Sequence, residues 1–204
     1  MFRVNALKKR LLAGEQLCGA WVESGSPTNA ELLGHLGFDF LIVDLEHGQG
    51  DLSDAIAMMR AAEGAGTPVV VRVPSNDAAF LKRILDAGAQ SLLIPQIESA
   101  AEARAAVAAC RYPPAGTRGY GVPLVRASTY GTVADYIHVA NDNLLLVLQI
   151  ESAASVAAAA EIAAVDGVDV PFIGVNDLAG SIGRLEQLDH PDVRRLVAEA
   201  EAAI

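Results

Sequence analysis

Short apolar runs alternate along the chain with stretches in which apolar positions recur every three or four residues. The runs fall at residues 17–22, 38–45, 68–73, 91–95, 144–152 and 172–175, and each reads as a strand. The helical stretches lie at 4–13, 27–36, 51–63, 77–86, 100–110, 133–140, 153–163 and 191–203. The punctuation agrees. Pro27 follows the N-cap candidate Ser26, Gly14 and Gly88 close helices, and Asp189 or His190 caps the last one. The segment 111–130, dense in Gly, Pro and Arg, reads as a long loop.

The run at 144–152, LLLVLQIES, organises the rest. It is continuously apolar, so it predicts a strand covered on both faces, as in a parallel sheet flanked by helices. Strict strand–helix alternation specifies a parallel α/β fold. A doubly wound open sheet is the rival, but no G-x-G-x-x-G turn follows the first strand. A (β/α) barrel of the TIM type is favoured, because His47, Arg72, Glu151 and Asp177 end four strands spread along the chain. The hexapeptide at 96–101, QIESAA, returns at 149–154, which suits repeated units.

Composition narrows the function. With 204 residues, 52% of them hydrophobic, the chain suits one domain over 1–204 with a large core. A formal charge of −10 argues against nucleic acid and against an anionic membrane surface. Cys18 and Cys110 stand far apart and outside any zinc spacing, which suits a reducing, cytoplasmic setting. The first fifteen residues lack a long apolar core, so no signal peptide is expected, and no run is long enough to span a bilayer.

The strand ends carry the candidate chemistry. Glu151 and Asp177 close successive parallel strands, which places them about 5 Å apart along the sheet. Two such carboxylates suit a hard divalent cation whose remaining positions are filled by water and substrate oxygens. Arg72 offers a fixed fork for a carboxylate or ketone, and His47 can move a proton near neutral pH. Beyond Gly174, the backbone leading to Asp177 predicts a helix N-terminus that attracts an anion. Together these groups would chelate a 2-oxo acid and stabilise an enolate at its C3. No lysine ends a strand, which disfavours a Schiff base. By the same reading His35, His138 and His190 are structural, Glu98 is a helix-start acid, and the 111–121 loop is a rigid lid or a subunit contact.

Five ordered motifs resemble the HpcH/HpaI aldolases, class II pyruvate aldolases of the phosphoenolpyruvate/pyruvate barrel superfamily. They are DLEHG at 44–48, VRVP at 71–74, RYPPAGTRG at 111–119, QIE at 149–151 and FIGVNDL at 172–178. The resemblance implies a metal-dependent barrel, usually a hexamer, that cleaves 4-hydroxy-2-oxo acids to pyruvate and an aldehyde. It makes Glu151 and Asp177 the ligands of Mg2+, Mn2+ or Co2+, and sets Arg72 on the pyruvyl oxygens. His47, oriented by Asp44, would take part in proton transfer through water. Gln149 would line the pocket beside the metal, Trp21 would shape its wall, and Asp86 would reach a neighbouring subunit's site. Citrate-lyase-like or macrophomate-synthase-like chemistry on the same enolate stays open, as does an inactive barrel with an assembly role. Val175 and Asn176 stand where the family has Pro-Ala, and Val170-Pro171 stands where it has glycine and valine. A proline there suits only a strand start. Six units end at Ile204, so the expectation is a barrel lacking its last two strand–helix units, with strands one and six as edges.

Overall fold

Parallel strands that follow one another in space as they do in sequence leave no switch point, and that separates a barrel from a doubly wound sheet. The computed structural model describes residues 4–204; residues 1–3, where the stretch read for a leader begins, lie outside the described residues. In chain order the elements are α1 (Ala6–Leu12), β1 (Gly19–Val22), α2 (Pro27–His35), β2 (Phe40–Asp44), α3 (Leu52–Gly64) and β3 (Val69–Arg72). They continue with α4 (Ala78–Asp86), β4 (Ser91–Ile94), α5 (Ala100–Cys110), α6 (Tyr136–Val139), β5 (Leu145–Ile150) and α7 (Ala153–Ala157). The last are α8 (Ala159–Ala163), β6 (Val170–Ile173), α9 (Val175–Ser181) and α10 (Pro191–Ala203). The strands form one six-stranded sheet in the order β1-β2-β3-β4-β5-β6, every pair parallel. The sheet curls until its edges approach: Trp21 on β1 and Phe172 on β6 meet edge to face, ring centroids 6.4 Å apart. This is an incomplete α/β barrel.

Strand pleating sorts the core into two layers. Leu41, Val43, Val71, Leu92, Ile94, Leu146, Leu148 and Ile150 face outward into the helical layer. Ile42, Val70, Leu93, Leu145 and Val147 fill the inside, where Leu7 of α1 joins them. Helix α1 therefore plugs the end where the strands begin. Its N-cap Asn5 is 5% exposed, and its side-chain nitrogen donates to Gln90 O (3.1 Å), Ser91 Oγ (3.0 Å) and Asn143 O (3.0 Å). The backbone N–H of Asn5 donates to Asn143 Oδ1 (3.0 Å), and its own Oδ1 accepts the Lys8 N–H (3.0 Å). Lys8 Nζ adds Leu144 O (2.5 Å) and Asp169 (3.0 Å), so one short helix ties down the starts of β4, β5 and β6.

Several boundaries differ from the sequence reading for identifiable reasons. The helix expected at 133–140 shrinks to the single turn of α6, followed by a 3-10 turn at Asn141–Asn143. The helix expected at 153–163 divides at Ala158 into α7 and α8, with no glycine or proline to announce it. Strand β6 begins at Val170 and contains Pro171, paired with Leu148. A proline within the strand is tolerated because β6 is an edge that pairs only with β5. His190 caps α10, accepting the Asp192 N–H on Nδ1 at 3.2 Å. Among the described residues no helix is long and apolar enough to cross a membrane.

Replacing Asn5 by alanine removes a buried cap and three side-chain contacts at the starts of β4 and β5. Asn5→Ala is expected to cost about 2 kcal/mol of folding stability or somewhat more, measured as a lower urea midpoint with an unchanged slope. An unchanged midpoint would show that the plug contributes nothing.

Candidate functional site

At the other end of the barrel, inward-facing positions become polar. Asp44 and Arg72 are register partners on β2 and β3, so their side chains meet inside. Arg72 Nε donates to Asp44 Oδ1 at 2.7 Å and Nη2 to Oδ2 at 2.5 Å, a bidentate pair with Asp44 only 1% exposed. Nη1 lies 3.0 Å from Glu46 Oε2, and the Trp21 ring centroid sits 4.6 Å from Arg72 Cζ. The guanidinium is therefore held on two edges and one face. Of its five N–H donors, two remain uncommitted. Desolvation opposes its charge, but Asp44, Glu46 and Glu151 together raise its pKa.

Asp44 is saturated. Its Oδ1 also accepts the backbone N–H groups of Glu46 (3.0 Å) and His47 (3.3 Å). Burial alone would push its carboxyl up, yet the Arg72 bonds and these N–H groups hold it below the usual carboxylate range. The expected pairing of Asp44 with the His47 imidazole is not formed. The carboxylate is held by Arg72 on both oxygens and by two amides on Oδ1, and His47 is exposed at the cleft edge. Gly48 makes the turn possible, since a Cβ there would lie 2.2 Å from Asp44 O.

Glu151 follows β5 and is 8% exposed. Its Oε1 accepts the Gln96 N–H at 2.6 Å, its Oε2 accepts Gln149 Nε2 at 2.6 Å, and its own N–H donates to Ser155 Oγ at 2.9 Å. Burial raises its carboxyl pKa, the Gln96 N–H opposes this, and the charges of Glu46 and Asp177 raise it further. Glu46 is raised likewise, by burial first, against the pull of Arg72 and His47. Gln149, 2% exposed, leaves its Oε1 without a hydrogen-bond partner. Gly174 is required by space: a Cβ would sit 2.9 Å from Glu151 Cβ and 3.1 Å from Glu151 Oε2. Its N–H donates to Ile150 O (3.0 Å), and the helix N-terminus expected beyond it is the start of α9. Asp177 lies in the first turn of α9, whose N-cap is Gly174.

Glu46, His47, Gln96, Glu98, Glu151 and Asp177 line one cleft of about 180 Å3. The structure thus gathers Trp21, Asp44, His47, Arg72, Gln149, Glu151, Gly174 and Asp177 at one end of the sheet. Asp86 stands apart at the C-terminal end of α4, held by Arg118 Nη2 at 2.7 Å. Glu46 and Gln96 were not anticipated, and Glu98 belongs to the cleft wall as well as to a helix start. Gln96 carries no sequence signal: it takes φ 57° although it is neither glycine nor asparagine, at a cost of about 1 kcal/mol. A larger cavity of about 410 Å3, lined by Arg60, Gln90, Arg126 and Asn143, opens near the strand starts and gathers no carboxylates beyond Glu63.

Asp44, Glu46, Glu151 and Asp177 set four carboxylates against one guanidinium. That surplus, with the orphaned Gln149 oxygen beside Glu151, fits a hard, oxygen-liganded divalent cation. Among the described residues no group of three or more His, Cys, Asp or Glu is arranged to hold a metal. The protein's share of such a site is therefore small, and water or substrate oxygens must supply the rest.

The model of the HpcH/HpaI aldolase/citrate lyase family matches residues 17–204. The chain is 43% identical over 200 residues to a hydroxypyruvate/pyruvate aldolase of Roseovarius nubinhibens, across 98% of this chain and 78% of that protein. It is 42% identical over 193 residues to a 5-keto-4-deoxy-D-glucarate aldolase of Shigella boydii, across 95% of this chain and 75% of the other. The crystal structure of a family protein from Burkholderia cenocepacia superposes with a TM-score of 0.93 at 41% identity, across 98% of this chain and 80% of that one.

The Asp44–Arg72 pair has a pH signature. Because Asp44 titrates below its ordinary range in the folded chain, its contribution is present at neutral pH and lost as pH falls through the folded value. Asp44→Asn should cost about 3 kcal/mol at neutral pH and flatten the decline of stability on acidification. Urea denaturation at neutral and acidic pH measures both, and a parallel decline in parent and variant would contradict the assignment.

Proposed function

This chain belongs to the HpcH/HpaI aldolase/citrate lyase family and is an aldolase/lyase of that family, and we propose that it makes or breaks a C–C bond in 4-hydroxy-2-oxo acids with a divalent cation. The observation that carries this reading is the surplus of carboxylates in one cleft, beside the Arg72 guanidinium that Asp44 and Glu46 already engage. Glu151 and Asp177 are the residues that would hold Mg2+, Mn2+ or Co2+, and Gln149 fixes Glu151 through its Nε2. When bound, such an ion polarises the ketone and favours negative charge on the oxygen of an enolate.

The remaining work falls to the chain. Arg72, fixed by Asp44, Glu46 and Trp21, turns its two free N–H donors toward the carboxylate and ketone oxygens of the oxo acid. A rigid guanidinium orients the substrate at little entropic cost. In the cleavage direction a proton leaves the C4 hydroxyl and the C3–C4 bond breaks. Its electron pair stays on the oxo acid as the enolate, and C3 then takes a proton to give pyruvate. His47 at the cleft edge is the group placed to exchange these protons through water. It does so without Asp44 behind its imidazole, since Asp44 is committed to Arg72. The names of the relatives, one for hydroxypyruvate and pyruvate and one for a keto-deoxy sugar acid, support a short oxo acid as the shared half. Self-association belongs to the same proposal, supported by exposed Tyr120, Leu124 and Tyr130 on the connection between α5 and α6.

Glu151→Gln and Asp177→Asn should each lower pyruvate release from a 4-hydroxy-2-oxo acid at least about a hundredfold. EDTA should silence the parent, and added Mg2+, Mn2+ or Co2+ should restore it. Full activity in either variant, or in EDTA, would overturn the reading.

A further inference from the structure

Gln96 is one of four non-glycine residues with positive φ among the described residues, and of these it alone lines the cleft. Its neighbours Pro95 and Ile97 are both buried, so the turn is pinned on either side. The left-handed conformation aims the Gln96 N–H at Glu151 Oε1. Glycine would take this φ without strain and keep that bond, so the backbone gives no reason for a glutamine. Nor does the interior: Gln96 is exposed, and its carboxamide has no partner among the described residues.

The rest of the cleft wall consists chiefly of carboxylates, which only accept hydrogen bonds while ionised. A carboxamide both donates and accepts, which is the complement of a hydroxyl group. In the arc of strand ends Gln96 stands between Arg72 and Glu151, beside the position the oxo acid takes in the function proposed above. We infer that Gln96 is a specificity-determining residue whose carboxamide recognises hydroxyl groups on the aldehyde half of the substrate, while its backbone N–H sets Glu151. The inference rests on the aldolase reading and adds which aldehydes the site prefers.

The test separates the two halves of the reaction in the full-length chain loaded with Mg2+ or Mn2+. Exchange of the pyruvate methyl protons with deuterated water needs only the enolate. Aldol addition to glycolaldehyde, compared with its near-isostere propanal, reads the aldehyde half. Gln96→Gly should lower the glycolaldehyde-to-propanal ratio of kcat/KM about tenfold, as expected for one lost hydrogen bond, a ratio that cancels any change common to both aldehydes. Gln96→Asn, which tolerates the same backbone, should retain part of the preference. An unchanged ratio in Gln96→Gly would overturn the inference while leaving the aldolase reading intact. Loss of exchange in that variant would assign Gln96 to the enolate step and overturn it as well. Absence of exchange in the parent would overturn the aldolase reading, and the inference with it.

Discussion

Arg72 stands among four carboxylates at the carboxyl end of the barrel, and the local structure depends on how it is divided between them. Two unit charges 4 Å apart interact by about 4 kcal/mol at the effective dielectric of a protein surface, so an unshared surplus of acids would open this end of the sheet. Asp44 takes two donors on one edge of the guanidinium because β2 and β3 set the two residues opposite one another. Glu46 takes a third donor from the turn that Gly48 permits. Glu151 lies close enough to influence Arg72 but finds its direct partners in a strained amide and a side-chain carboxamide. Its raised pKa, like that of Glu46, comes first from burial and then from the neighbouring acids, which Arg72 offsets only in part. A site that keeps acids in this condition trades stability for chemistry, and the divalent cation proposed above would relieve the imbalance.

The two ends of the sheet divide the tasks. Where the strands begin, Asn5, Leu7 and Lys8 of the α1 segment close the interior with a side chain in the core and hydrogen bonds to three strand starts. Where the strands end, the interior positions are Asp44, Arg72 and Gln149, and the loops add the rest. Trp21 and Phe172 join the ends laterally: the edge-to-face contact between the two edge strands keeps the sheet curled, and Trp21 offers its ring to Arg72 as well. The edge contact and the Arg72 platform are thus one residue's work.

Much of this was legible in the chain because it depends on periods and on chemical type. The six strands came from apolar runs, and Arg72, Glu151 and Asp177 from being the polar residues that end them. What pairs with what was not legible. Asp44 stands three residues before His47, a spacing that suggested a dyad, yet sheet register gives its carboxylate to Arg72, and register is a property of two strands. Glu46 was hidden inside a recognised motif because its partner lies one strand away. The division of α7 from α8 at Ala158 falls in an alanine-rich stretch with no breaker residue, and Pro171 sits inside a strand only because β6 has a single neighbour.

The repeated hexapeptide shows the same limit most sharply. Both copies end in a helix cap: Ser99 accepts the Glu102 N–H and Ser152 the Ser155 N–H. The strands before them are not in the same phase. Ile94 pairs with Leu148, yet Ser99 lies five residues beyond Ile94 while Ser152 lies four beyond Leu148. A shift of one residue reverses the face a side chain occupies, and the extra residue in the first copy is absorbed by the left-handed turn at Gln96. Gln149 therefore remains inside the sheet, holding Glu151 with its side chain, whereas Gln96 falls past the end of β4 and holds the other oxygen of Glu151 with its backbone. One word read in two registers supplies both restraints on a single carboxylate, a carboxamide from one copy and a backbone amide from the other.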